Sequence, residues 1–303
     1  MLSTAFTCVG YAFYNNQHYI STDFTYKGFI PVINLNAGYG GIPTVVQPQG
    51  TENIPSPLGT NEYYKFNIYL PINLTRGNFI TFIQPHFQLN REKTYYYNSR
   101  LNDYTNQVVF TQYSFSLYNY RRTLARDLYP RWGTILKYHK TFTPFENNLI
   151  GNIEVFQAKF YLPGFACHHS FQLSGTYEKQ KADQYYFNST TEFVRGYSIT
   201  PTNEWLNKAS VDYAFPVAYP DFNLGRILYL KRISAKLFYD FVQYKPNNSS
   251  RINTVKSSGI EILNTIHIAH IIFPFEIGGR YSYLIDEGLN NLEFLIRVDT
   301  DIF

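Results

Sequence analysis

The sequence predicts an all-β chain, an antiparallel transmembrane β-barrel with about fourteen strands present. Three observations lead there. Aromatic residues make up 19% of the 303 residues, with 29 Tyr and 26 Phe against one Met, and Tyr and Phe favour half-buried strands. Apolar and polar residues alternate at period two in one segment after another, which is the strand signal. The alternating segments run to roughly 9–13 residues, longer than the ~5–6 usual in soluble sheets and long enough to cross a bilayer at a tilt.

The segments fall near 4–14, 18–29, 31–40, 61–72, 78–90, 107–120, 131–142, 151–162, 169–179, 207–217, 227–243, 256–268, 271–284 and 291–302. In the second, Ile20, Thr22, Phe24 and Tyr26 face one way and Ser21, Asp23, Thr25 and Lys27 the other. The third sets Ile33, Leu35, Ala37 and Tyr39 against Asn34, Asn36, Gly38 and Gly40. The ninth sets Phe171, Leu173, Gly175 and Tyr177 against Gln172, Ser174, Thr176 and Glu178. The eleventh is the cleanest, with Ile233, Ala235, Leu237, Tyr239 and Phe241 opposite Arg232, Ser234, Lys236, Phe238 and Asp240. The second face is small, polar or charged in each case. Apolar outside and polar inside, at this length, is the pattern of a membrane barrel.

The links support one ring of hairpins. Short links follow strands two, four, eight and twelve, around Ile30, "NLTRG", "PGFAC" and "AH"; longer ones follow strands three, five, nine, eleven and thirteen, at 41–60, 91–106, 180–206, 244–255 and 285–290. Membrane barrels have short turns at one end and long loops at the other. The "NNQ" turn after the first strand and the medium links 121–130 and 218–226 depart from the rule. The Pro/Gly-rich stretch 42–60 is flanked by strand pattern of one kind and reads as an external loop. No boundary divides the chain, so 1–303 is one barrel domain.

Composition narrows the function. Charged residues are 16%, against roughly 25% in soluble domains. No run of 18 uncharged apolar residues occurs, which excludes helical spans. The net charge of +4 is scattered, with no basic stripe, so no nucleic-acid partner is expected. Cys8 and Cys167 lie far apart, and their pairing stays open. His168–His169 and the pair His267, His270 lie on strand and turn pattern, where an i, i+3 pair does not share a face, so no metal is expected. There is no phosphate-cradling loop and no nucleophile elbow. Neither an enzyme nor a cofactor is expected. The start of the chain lacks the basic segment and apolar core of a signal peptide, as in a mature chain or a piece of a longer one.

One tetrad stands out in the longest external link: Val194, Arg195, Gly196 and Tyr197. Two readings are open. The arginine is solvated on a mobile loop, or the loop folds into the lumen. Asp212 and Asp240 point inward by strand parity and would be its partners, since a guanidinium binds carboxylates through a planar fork of donors. Gly196 would allow close backbone approach or a positive φ.

These residues carry a resemblance. The chain resembles the bacterial surface antigen superfamily of outer-membrane barrels, the group of the assembly proteins BamA and TamA. "VRGY" (194–197) matches the motif of the family's sixth external loop, which inserts into the barrel. "SVDYAFPV" (210–217) is similar to the next strand, with Asp212 at its acidic position, and "LKRISAKLFYDF" (230–241) to the one after, with Asp240 at its aspartate. In the final "NLEFLIRVDTDIF", Phe294, Ile296, Val298 and Phe303 resemble the C-terminal signal read by the assembly machinery. "RDLYPRWG" (126–133), "LTRGN" and "AYPDFNLG" further resemble a Bacteroidota branch whose barrels often follow a TolB-like periplasmic propeller.

The resemblance implies a place in the bacterial outer membrane, among phospholipid and lipopolysaccharide. It implies a loop lock from Arg195 to Asp212 and Asp240, and the barrel assembly machinery as a partner during biogenesis. The implied role is assembly or translocation of client proteins; the alternative is a structural anchor for a periplasmic domain. The superfamily has sixteen strands, with the motif loop after its eleventh. The first strand here would then be the family's third, and about two strands and a periplasmic domain are expected ahead of it. POTRA domains are not in the sequence. A soluble sandwich that stacks its aromatics on sugars is the rival outside the membrane.

Overall fold

A computed structural model describes residues 4–14, 16–28, 30–41, 44–46, 60–98, 103–105, 108–124, 126–145, 151–182, 187, 189–197, 203–225, 228–247, 249–268 and 274–298. Fourteen strands follow one another in chain order, each antiparallel to the next. They are β1 (Ala5–Tyr14), β2 (Gln17–Tyr26), β3 (Val32–Gly40), β4 (Glu62–Tyr69), β5 (Phe79–Glu92), β6 (Val108–Arg121), β7 (Gly133–Phe142), β8 (Gly151–Pro163), β9 (Ser170–Ala182), β10 (Asn203–Ala218), β11 (Leu228–Pro246), β12 (Asn253–Ile268), β13 (Phe275–Leu284) and β14 (Leu289–Val298). Two short pieces, Ile72–Asn73 and Phe222–Leu224, pair onto β5 and β11. Thr44–Val46, Thr94–Asn98 and Asp103–Thr105 make a separate small sheet. Among the described residues no ladder joins β1 to β14, which are the two edges of the path.

The alternation read from sequence sets the two faces. On β11, Ser234, Phe238, Asp240 and Val242 are buried and face inward, while Leu237 and Tyr239 face outward and are 46% and 42% exposed. On β10, Ser210, Asp212 and Ala214 are buried and Val211 and Val217 are exposed. Buried carboxylates inside and exposed aliphatics outside invert the arrangement of a soluble protein. From β2 to β13 the strand-to-strand ladders satisfy the backbone on both sides without water, which a bilayer-spanning structure requires.

Three of the predicted long links are shorter. The link expected over 244–255 spans only 247–252, because Tyr244 pairs with Asn253 and Pro246 with Asn203. The link expected over 285–290 reduces to 285–288. In both, polar hairpin ends continue the ladder beyond the apolar stretch by which the strand was recognised. The link expected over 180–206 spans 183–202, since Trp205 and Leu206 pair with Lys179 and Glu178. This loop returns to the wall through a cluster of Phe193, Val194, Leu206 and Val242, with Tyr197, Tyr244 and Val255 packed against it.

Candidate functional site: a loop latched inside the barrel

The apolar members of the tetrad come first physically. Val194 is 1% exposed and Phe193 is buried beside it, their rings and methyls covered by Leu206 of β10 and Val242 of β11. Burying the loop's apolar side chains on the inner wall sets Arg195 above the inward faces of β10 and β11. The Lys208 ammonium donates to the Glu192 and Phe193 carbonyls at 3.1 and 2.9 Å, which fixes the chain just before the tetrad.

Arg195 is then held on every side. Its backbone N–H and its Nε both donate to Asp240 Oδ2, at 3.1 and 2.8 Å. Nη2 donates to Asp240 Oδ1 at 2.6 Å and to Asp212 Oδ1 at 2.5 Å. The guanidinium carbon lies 4.0 Å from the centroid of the Phe238 ring. Phe238 stands between Lys236 and Asp240 on the polar face of β11, and cation–π contact accounts for an aromatic ring there. Gly259, its register partner on β12, leaves the ring room: a Cβ there would meet Phe238 Cζ at 2.7 Å. Burial works against the charge on Arg195, but the carboxylates of Asp240 and Asp212 more than offset it, so its pKa lies above the ordinary arginine value.

Gly196 has φ +95°, and a Cβ there would meet Ser282 Cβ at 2.7 Å. The turn it makes returns the Tyr197 N–H to the Val194 carbonyl at 3.3 Å. Asn291 Nδ2, on the edge strand β14, donates to the Gly196 carbonyl at 2.8 Å. The tetrad therefore spans the wall from β10 to β14.

Sequence reasoning missed the centre of the inner wall. Glu261 of β12 is 1% exposed. Arg280 Nε on β13 reaches it at 2.7 Å, Arg297 Nη2 on β14 at 3.1 Å, Lys236 Nζ on β11 at 3.6 Å and Arg195 Nη1 at 3.8 Å. One buried carboxylate thus gathers cations from three strands and the loop, and Arg280 passes the chain on to Glu293 at 2.8 Å. The signal was in reach: Glu261, Arg280 and Glu293 are successive cross-strand register partners on the inward face. A cavity of about 890 Å³ lies beside the seated loop, lined in part by Arg195, Lys208, Ser210, Lys236 and Glu261.

The other predicted residues lie elsewhere. Phe294, Ile296 and Val298 face outward on β14 and are exposed, and Phe303 lies outside the described residues. Cys8 and Cys167 are both free and exposed. His168 and His169 sit in the β8–β9 turn, and His270 lies outside the described residues. Among the described residues no group of His, Cys, Asp and Glu could hold a metal ion.

No family model matches the sequence, and no curated protein matches it by sequence. Among solved structures the chain is similar to BamA from Haemophilus ducreyi lacking POTRA domains 1-3, with a TM-score of 0.52 and 12% identity. The match covers 92% of this chain and 61% of that one. The fold is a BamA-type β-barrel. At that identity the likeness is one of fold, and this chain spans about three fifths of the BamA structure's length. The BamA-type fold accounts for the chain-order antiparallel path.

Proposed function

We propose that this chain is a bacterial outer-membrane β-barrel of the surface-antigen type that works in the assembly or translocation of other outer-membrane proteins, with loop 183–202 latched inside it by Arg195. The observation that carries the reading is the inverted wall: Val211, Leu237, Tyr239, Ile262 and Tyr281 exposed outward, Asp212, Asp240 and Glu261 buried inward. Water is a poor solvent for the first set, and acyl chains are a good one. The neighbours proposed for it are phospholipid and lipopolysaccharide, and during biogenesis the barrel assembly machinery, which would read Phe294, Ile296, Val298 and Phe303. A role in assembly is supported by the edge strand β14, whose inner face is tied to the loop through Asn291.

A static anchor is favoured by a different observation, the depth of the Glu261 network, which resists motion. Depletion of the protein in its own cells separates the two: a fall in the levels of other outer-membrane barrels supports assembly, and unchanged levels support the anchor. For location, the native chain should fractionate with the outer membrane and migrate faster unboiled than boiled. Recovery as a detergent-free monomer would sink the membrane reading. Arg195→Ala should expose loop 183–202 to protease in the folded barrel, and unchanged cleavage would refute the latch.

A further inference from the structure

The link between β6 and β7 emerges at the end opposite loop 183–202, and it too turns inward. Asp127 is 8% exposed. Its Oδ2 accepts the Leu124 N–H at 3.2 Å, its Oδ1 lies 2.7 Å from His168 Nδ1 in the β8–β9 turn, and Arg131 Nε stands 4.0 Å away. Its carbonyl accepts Arg232 Nη1 of β11 at 3.3 Å. The Arg126 carbonyl accepts the Tyr219 hydroxyl at 2.8 Å, beyond the end of β10. Those partners stand up to four strands further round the path, so this link crosses the lumen. Tyr129 goes deepest, 5.9 Å from the Tyr161 ring of β8, with Lys236 Nζ 5.4 Å from its own centroid. A second cavity of about 470 Å³ lies under it, and Tyr129, Tyr161, Lys236 and Glu261 line both cavities.

We infer that residues 126–132 form a second plug, locked by Asp127, so that the lumen is shut from both ends and the layer Tyr129–Tyr161–Lys236–Glu261 is the partition between the two. The two plugs have separate locks. Asp127 binds His168, Arg232 and Arg131 but neither Arg195 nor its two aspartates, among the described residues. The plugs meet at the partition, where Glu261 faces Arg195 and Lys236, and Lys236 lies over Tyr129. The bonds of each lock do not run through the other, so each can open while the other holds.

Trypsin tests this on the folded barrel in detergent, a readout that does not depend on the bilayer reading. Cleavage after Arg126 and Arg131 requires local unfolding of the plug. In the native chain both sites should resist. Asp127→Ala should speed cleavage there by roughly tenfold or more, while Arg195→Ala leaves it within about twofold. His168→Ala and Arg232→Ala each remove one contact and keep the carboxylate, and should raise cleavage by a smaller factor; they carry the test if Asp127→Ala does not fold. Rapid cutting of the native chain, no change in any of the three variants, or equal exposure by Arg195→Ala would overturn the inference. In planar bilayers the double variant Arg195→Ala, Asp127→Ala should conduct well above either single one. A single variant that conducts as much as the double would show one plug sealing nothing.

Discussion

Strands β2–β4 and strands β10–β14 are written in the same alternating pattern, yet they bury very different things. In the first group the inward face is a web of amide donors around one carboxylate, Asp23. Asn34 Nδ2 donates to both Asp23 oxygens at 3.1 and 2.9 Å, Asn36 Nδ2 to Asp23 at 3.2 Å, and Asn67 Nδ2 to Asn34 at 2.9 Å. The web is part-exposed, and β1 beside it is exposed along almost its whole length. In the second group the inward face holds Asp212, Asp240 and Glu261, all buried, with their cations. The difference is the loop. Where a segment returns into the lumen it removes water, and a removed carboxylate demands a cation. Over β2–β4 no described segment returns, and there amides and water suffice.

The contrast can be broken from the charged side. Glu261→Ala leaves Arg280, Arg297 and Lys236 around an uncompensated centre, and should cost about 3–5 kcal/mol. The midpoint of denaturant unfolding, followed by the gel shift between folded and unfolded barrel, would register it. A loss no larger than that of the next substitution would mean the network is solvated. Gly196→Ala comes second. With φ +95° and Ser282 Cβ at 2.7 Å, it should cost about 1–3 kcal/mol through strain, and protease exposure of loop 183–202 would show it before global unfolding does. If the loop stays protected, the tight turn is not what seats it. Asn34→Ala sharpens the comparison from the other side. Its bonds to Asp23 are charge-assisted but reachable by water, which holds the expected cost to about 1 kcal/mol in the same unfolding assay. A cost equal to that of Glu261→Ala would erase the distinction between the two regions.

Particular residues show how far reading a chain can go. The parity of Leu237 and Asp240 was legible because a strand allows only two directions, and both lie where the alternation puts them. Hairpin ends were less legible: Tyr244, Lys245 and Pro246 carry no apolar pattern, and they pair because the ladder simply continues. Phe238 was visible as an aromatic residue on a polar face but meant nothing without the guanidinium above it. Asp127 stood in a quoted stretch, "RDLYPRWG", and its burial was invisible because its partners are as far away as position 232.

The chain's own order of residues thus determined the architecture: period-two alternation over long segments admits one kind of wall, and the chemistry of its two sides says which way each residue points. Tertiary structure alone decided what fills that wall. Which links fold inward, how deep Arg195 and Tyr129 reach, and that Glu261 collects cations from three strands and the loop all depend on contacts between segments remote in the chain. Local pattern carries no term for such contacts, because the energy of a buried charge is set by whatever excludes water from it.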